Sequence, residues 1–135
     1  MYKIFLSAIA TLCVLTSCQE DFDNRLKREA TEYTKKHCPL RIEEGNTLDS
    51  LTYNLDTRTL TRWHSLSGNM DTQVAIDALC DHPELVRNQL LAELRNDVQM
   101  EACKEAKVFF TYVYQSASSR DTIFTTTFSP EDYRR

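Results

Sequence analysis

Glycine is nearly absent from this chain: two residues in 135, alongside three prolines and one tryptophan. So few glycines exclude the phosphate-cradling loops of nucleotide-binding proteins, which need several close together. They also leave no Gly-x-Ser-x-Gly turn to expose a nucleophilic serine. Basic clusters are missing as well. With 16 Lys and Arg against 20 Asp and Glu the net charge is −4, and phosphates are neutralised only by grouped cations, so nucleic acid is not an expected partner. His37 adjoins Cys38, and Cys80-Asp81-His82 is a Cys-x-His pair. No Cys-x-x-Cys or His-x-x-x-His spacing accompanies them, so no metal and no cofactor is expected. The carboxylate pairs Glu43-Glu44 and Glu131-Asp132 stand in polar stretches rather than a shaped cleft that could retune them. No catalytic residue is expected, and the chain does not read as an enzyme.

What is present begins at the N-terminus. Lys3 supplies a short positive region, Ile4–Leu15 an apolar run, and Thr16 and Ser17 are small residues in front of Cys18. The run is too short for a comfortable membrane span of about 20 residues and has the order of a secretory signal. Leu15-Thr16-Ser17-Cys18 resembles the bacterial lipobox. That resemblance implies cleavage after residue 17 and a mature chain of residues 18–135 whose Cys18 carries the lipid. Two or three acyl chains anchor a protein stably, at ~0.8 kcal/mol per buried CH₂. Gln19 is not the aspartate that retains enteric lipoproteins at the inner membrane, so the expected address is the outer membrane. Glu20, Asp21 and Asp23 resemble the acidic tract that sends lipoproteins of the Bacteroides group to the outer leaflet, although a solvated tether has the same composition.

The mature chain loses one cation, Lys3, which moves the charge from −4 to −5, and its length suits one domain. Of five cysteines, Cys13 leaves with the signal and Cys18 is acylated. Cys38, Cys80 and Cys103 remain in an oxidising compartment, and three thiols permit one internal bridge at most. Cys38 and Cys103 each stand where a helix gives way to a segment leading into a strand, and their pairing is favoured. The helix that begins after Cys80 carries the chain ~20 Å away before Cys103, against the ~5.5 Å a disulfide spans. Cys38–Cys80 and no bridge remain the alternatives.

From Asp21 to His37 the residues Phe22, Leu26, Ala30, Tyr33 and His37 form one helical stripe that Pro39 ends. Leu40–Thr47, with Gly45-Asn46, reads as a loop. Leu48–Leu55 and Thr59–Leu66 read as a hairpin around Asp56-Thr57-Arg58. After Ser67-Gly68-Asn69, helix is expected over Asp71–Leu79. It restarts at an acidic capping box of Asp81 and Glu84 with Pro83 in the first turn, and resumes over Glu101–Lys107. Val108–Gln115 is the strongest strand, and Asp121–Phe128 returns beside it. The expected class is α+β: two αββ units forming a four-stranded, mainly antiparallel sheet with helices on one face.

Leu48-Asp49-Ser50-Leu51-Thr52-Tyr53 and Phe110-Thr111-Tyr112-Val113-Tyr114, within this layout, are similar to small lipoproteins of the Bacteroides group. The arrangement also resembles the fold of the β-lactamase-inhibitor protein, a likeness of fold only. Neither implies an activity. An antiparallel sheet covered on one side leaves its other face to solvent, so Trp63, Phe109, Tyr112 and Tyr114 are candidates for an aromatic binding patch. Phe109 and Phe110, as neighbours, cannot both point inward. The expected function is that of an outer-membrane-anchored binding or accessory module for an envelope protein or a glycan. The alternative is a structural component of the envelope with no soluble ligand.

Overall fold

The computed structural model describes residues 22–134. The signal segment 1–17, Cys18, Glu20 and Asp21 lie outside the described residues. Helix α1 covers residues 22–37 and presents the stripe read from the sequence: Ala30 is buried, and Phe22 and Leu26 pack on the core. Strands β1 (Leu40–Glu43), β2 (Asn46–Asn54) and β3 (Thr59–Leu66) follow, then helices α2 (Gln73–Asp81), α3 (Pro83–Asn96) and α4 (Glu101–Glu105). Strands β4 (Phe109–Ser116) and β5 (Thr122–Phe128) and a one-turn helix α5 (Pro130–Tyr133) complete the domain. Among the described residues no helix is long and apolar enough to cross a membrane.

The sheet has five strands in the order β1-β2-β3-β4-β5, not the expected four. The extra strand is β1, inside the stretch read as a loop: Leu40 pairs with Leu48 and Arg41 with Thr47. Being short, polar and at the edge, it lacks the apolar run by which strands are recognised. The sheet is also mixed, since β3 and β4 run parallel in unbroken register from Thr59↔Phe109 to Leu66↔Ser116. Parallel neighbours need a long crossover, and residues 67–108, carrying α2, α3 and α4, supply it. The other pairings are antiparallel.

One irregularity sets which side chains reach the core. The register of β2 against β3 shifts between Leu48 and Ser50, and this bulge at Asp49 changes the parity of the strand. Asn46 and Leu48 before it therefore share a face with Leu51 and Tyr53 after it. Opposite them on β3 stand Leu66, His64, Arg62 and Leu60. Phe110 and Phe128 continue that face, closed at 2% and 0% exposure, with Leu90 and Leu94 of α3 packed above. Phe109, its neighbour, is 38% exposed on the reverse side, as strict alternation demands.

Polar contacts close the ends of the layers. Asp71, just before α2, accepts from Ser116 Oγ at 2.6 Å and from Ser118 N and Oγ at 3.1 and 2.8 Å, tying the crossover to the end of β4. These donors hold its carboxyl below the usual range. Lys104 Nζ donates to the carbonyls of Leu94 and Arg95 at 2.9 and 3.1 Å, satisfying the C-terminus of α3. The cap expected at Asp81 is not formed. Asp81 ends α2, and His82 precedes α3 without a side-chain cap, with Pro83 in its first turn. The capping box stands at Ser129 and Asp132 instead, where it sets Tyr133 to donate to Val108 O at 2.9 Å.

Helix α1 is joined to the sheet near its start by Asp23, which accepts from Tyr53 Oη at 3.2 Å and pairs with Arg58 at 3.0 Å, and near its end by the Thr34 hydroxyl. Thr34 Oγ1 accepts from Leu51 N at 2.9 Å and lies 3.0 Å from Leu51 O, where β1 has run out and the edge of β2 would stand open. Thr34→Val removes a donor and an acceptor from that edge and should cost about 1–3 kcal/mol. Thr31→Val, which loses only an exposed bond to Lys27 O, should stay within about 0.5 kcal/mol. Urea unfolding of the two variants compares them; equal midpoints would mean that Thr34 does not seal the edge.

Candidate functional site

A cavity of about 410 Å³ opens between the covered face of the sheet and the α2–α3 layer. Its floor is β3 and β4: Arg62, His64 and Leu66 from one, Tyr112 and Tyr114 from the other. Parallel register sets Arg62 beside Tyr112 and His64 beside Tyr114. The side walls are Leu79 of α2 and Val86, Leu90 and Leu94 of α3. Ile42 and Glu43 of β1 form the opposite lip with Met70. Gly45 lets that lip close. It has φ +81, and a Cβ there would meet Met70 Cγ at 2.6 Å and Ser67 O at 2.9 Å, so any side chain would drive the turn and Met70 apart.

The floor is unusual for a core face because two adjacent inward positions are polar. His64 is 3% exposed, and its ring stacks on Tyr114 at 4.7 Å with a 19° interplanar angle. Its Nδ1 lies 2.9 Å from Asn46 Oδ1, while Asn46 Nδ2 donates to Glu43 Oε1 at 3.5 Å. An oxygen facing the ring places the proton on Nδ1 and leaves the Nε2 lone pair as an acceptor. Burial, and then the charge of Arg62, push His64 down to about 4, so the ring is neutral under ordinary conditions. His64 Nε2 and Arg62 Nε are the buried side-chain atoms without a hydrogen-bond partner among the described residues. The Arg62 guanidinium sits 6.0 Å above the centre of the Tyr112 ring. Burial raises Tyr114 to about 12, keeping its hydroxyl protonated.

The four aromatics expected to make one patch do not. Tyr112 and Tyr114 belong to the cavity floor, under the helices. Trp63 and Phe109 alternate to the reverse face, where Trp63 Nε1 donates to Thr52 Oγ1 at 2.9 Å. Around Trp63 that face is mostly hydroxyl, with Thr111 and Thr127 bonded to each other at 2.8 Å. The cysteines do not pair either. Cys38, Cys80 and Cys103 are free thiols, so the favoured Cys38–Cys103 bridge is absent. Cys103, on α4, is part of the main core, whereas Cys38 sits near Asp49 and Arg62, at the bulge of β2. Burial raises both thiols.

The family model for a domain of unknown function, DUF8479, matches residues 21–124. The chain belongs to this family. No curated protein matches it. Two solved structures are similar in fold. One, from Pseudomonas aeruginosa, is described as a secreted protein; it shares 16% identity at a TM-score of 0.66, over 83% of this chain and 96% of the other. The second is the type 2 secretion system pilotin EpsS of Vibrio vulnificus, with 6% identity and a TM-score of 0.65, over 87% and 96%. At such identities the likeness is one of fold. The family match spans α1 through the start of β5 and thus contains every residue lining the cavity.

Sequence reasoning missed Arg62, His64 and Asn46. The signal was there: in Leu60-Thr61-Arg62-Trp63-His64-Ser65-Leu66 the alternation that places Leu60 and Leu66 inward places Arg62 and His64 inward too. Neutral burial of His64 has a thermodynamic signature. Its native value of about 4 lies below the ~6.5 of an unfolded chain. Between those limits the unfolded state binds a proton that the native state refuses. Stability is therefore complete above pH ~6.5 and falls as pH drops towards 4, by at most about 1.4 kcal/mol per pH unit. Urea midpoints from pH 7 to 4.5 should decline for the native chain and flatten in His64→Gln. Parallel declines would show that other groups titrate in that window.

Proposed function

We propose that this protein is a lipid-anchored accessory protein of the bacterial envelope, held at the outer membrane through Cys18, which docks a segment of another envelope protein in the cavity between the sheet and α2–α3. The observation that carries the reading is the cavity. It combines an apolar wall (Leu66, Leu79, Val86, Leu90) with polar atoms on its floor that no neighbour satisfies. Binding sites have this composition: mostly apolar, with a few placed polar groups that orient the occupant. Fold likeness to a secretion-system pilotin and a secreted protein supports an envelope role. So does the lipobox-like Leu15-Thr16-Ser17-Cys18.

Two variants separate anchor from dock. Cys18→Ala should release the protein from the membrane fraction while leaving the domain folded. Gln89→Trp, at an exposed lining position of α3, should fill the mouth and lower formaldehyde-crosslinked adducts in intact cells by about tenfold, the loss expected from ~1.4 kcal/mol. Thr125→Trp, on the reverse face, should leave them unchanged. Adducts lost with Thr125→Trp and kept with Gln89→Trp would move the docking surface to the reverse face. Unaltered fractionation of Cys18→Ala would remove the lipid anchor.

A further inference from the structure

We infer that the cavity selects a protein segment in which an apolar side chain stands beside a lysine or arginine; this rests on the docking reading above. The apolar requirement comes from Leu79, Val86 and Leu90, which face the sheet across the opening. The cationic requirement comes from three carboxylates. Glu43 projects from β1, while Glu93 and Asp97 stand one turn apart on α3 and its C-cap. Ion pairs among the described residues engage Asp23, Glu29, Glu84, Glu101 and Asp132, but none of these three. Their fields converge on the floor: Glu93 is felt at both Tyr112 and Tyr114, Asp97 at Tyr112 and Glu43 at Tyr114.

A single cation, Arg62, answers three anions across the lining, and its guanidinium is engaged over the Tyr112 ring. An occupant that brings its own positive charge completes this set, whereas an acidic one adds a fourth anion. The neutral His64 points the same way. It is 3% exposed and its Nε2 is an unused acceptor, which takes an N–H. Other occupants fit less well. A second copy of this chain carries net charge −4 and would be repelled. A neutral glycan would leave the carboxylates unanswered and the leucine and valine wall against hydroxyls.

The test places the photoreactive residue benzoylphenylalanine at Met70, Val86 or Gln89 of the full chain in intact cells, followed by sequencing of the crosslinked peptides. The expected adduct is a segment with an apolar residue within about four positions of a lysine or arginine. Its yield should fall about tenfold in Glu43→Gln/Glu93→Gln. Glu93→Gln alone serves if the double variant melts early. Glu32→Gln, exposed on α1, should leave the yield unchanged. Adducts to an acidic or uncharged segment, to this chain itself or to a glycan would overturn the inference while leaving a dock in place, as would yields that ignore Glu43 and Glu93. No adduct from any of the three positions would overturn both it and the docking reading.

Discussion

The parallel pairing of β3 with β4 is the constraint on which the rest of this molecule depends. Two parallel neighbours cannot be joined by a turn, so the chain must leave the sheet at Leu66, travel its length and re-enter at Phe109. Everything from residue 67 to residue 108 is that return journey. Its helices must bury their apolar stripes somewhere, and the covered face of the sheet is where Leu90 and Leu94 meet Phe110 and Phe128. The crossover is fastened to the end of β4 by Asp71 on Ser116 and Ser118 and braced within itself by Lys104 on the last carbonyls of α3. Between those contacts, α2 and α3 stand away from the β1 lip. The cavity is the gap that remains.

Polar residues on the floor of that gap come at a cost to the fold. Replacing an apolar inward pair by Arg62 and His64 forfeits burial and leaves buried atoms whose desolvation is only partly repaid. The structure offsets part of this locally. Asn46 Oδ1 accepts from His64 Nδ1–H, Tyr114 stacks on the ring, and Tyr112 lies beneath the guanidinium. All three neighbours are placed by register: Asn46 by the bulge at Asp49, the tyrosines by the parallel ladder. Departures from core composition that are supported on one side and open on the other are consistent with the docking role proposed for the cavity.

How far the residues alone disclosed this varies element by element. Helix α1, the β2–β3 hairpin and the β4–β5 pair were legible because their apolar spacing is strong and local: Phe22, Leu26 and Ala30 on one stripe, Phe110 against Phe109 on alternate faces. Strand β1 was not, since Leu40–Glu43 borrows its stability from hydrogen bonds to Leu48 and Thr47 rather than from its own side chains. Nor was the parallel β3–β4 pairing, because periodicity identifies strands but not the direction in which they meet. The parallel register is what sets Arg62 specifically against Tyr112 and His64 against Tyr114. The composition of the aromatic patch has a separate, local cause: Phe109 and Tyr112 stand an odd number of residues apart on β4 and face opposite sides whichever way the strands pair. Residue type groups Trp63 and Phe109 with Tyr112 and Tyr114, whereas alternation separates them onto opposite faces.

The reverse face shows why exposure alone is a poor guide to function here. It carries the single tryptophan of the chain and a half-exposed phenylalanine, yet several of its polar groups already bond one another. Trp63 Nε1 is bonded to Thr52, Thr111 to Thr127, and Val113 is 7% exposed in spite of lying on the uncovered side. A partner arriving at Trp63 or at the Thr111–Thr127 pair would exchange made hydrogen bonds for new ones at little net gain. Inside the cavity the balance is reversed. Among the described residues, an unpartnered acceptor at His64, an unpartnered donor at Arg62 and three carboxylates outside any ion pair lie against an apolar wall. An occupant gains contacts there that the free protein does not make, and that difference is what binding free energy measures.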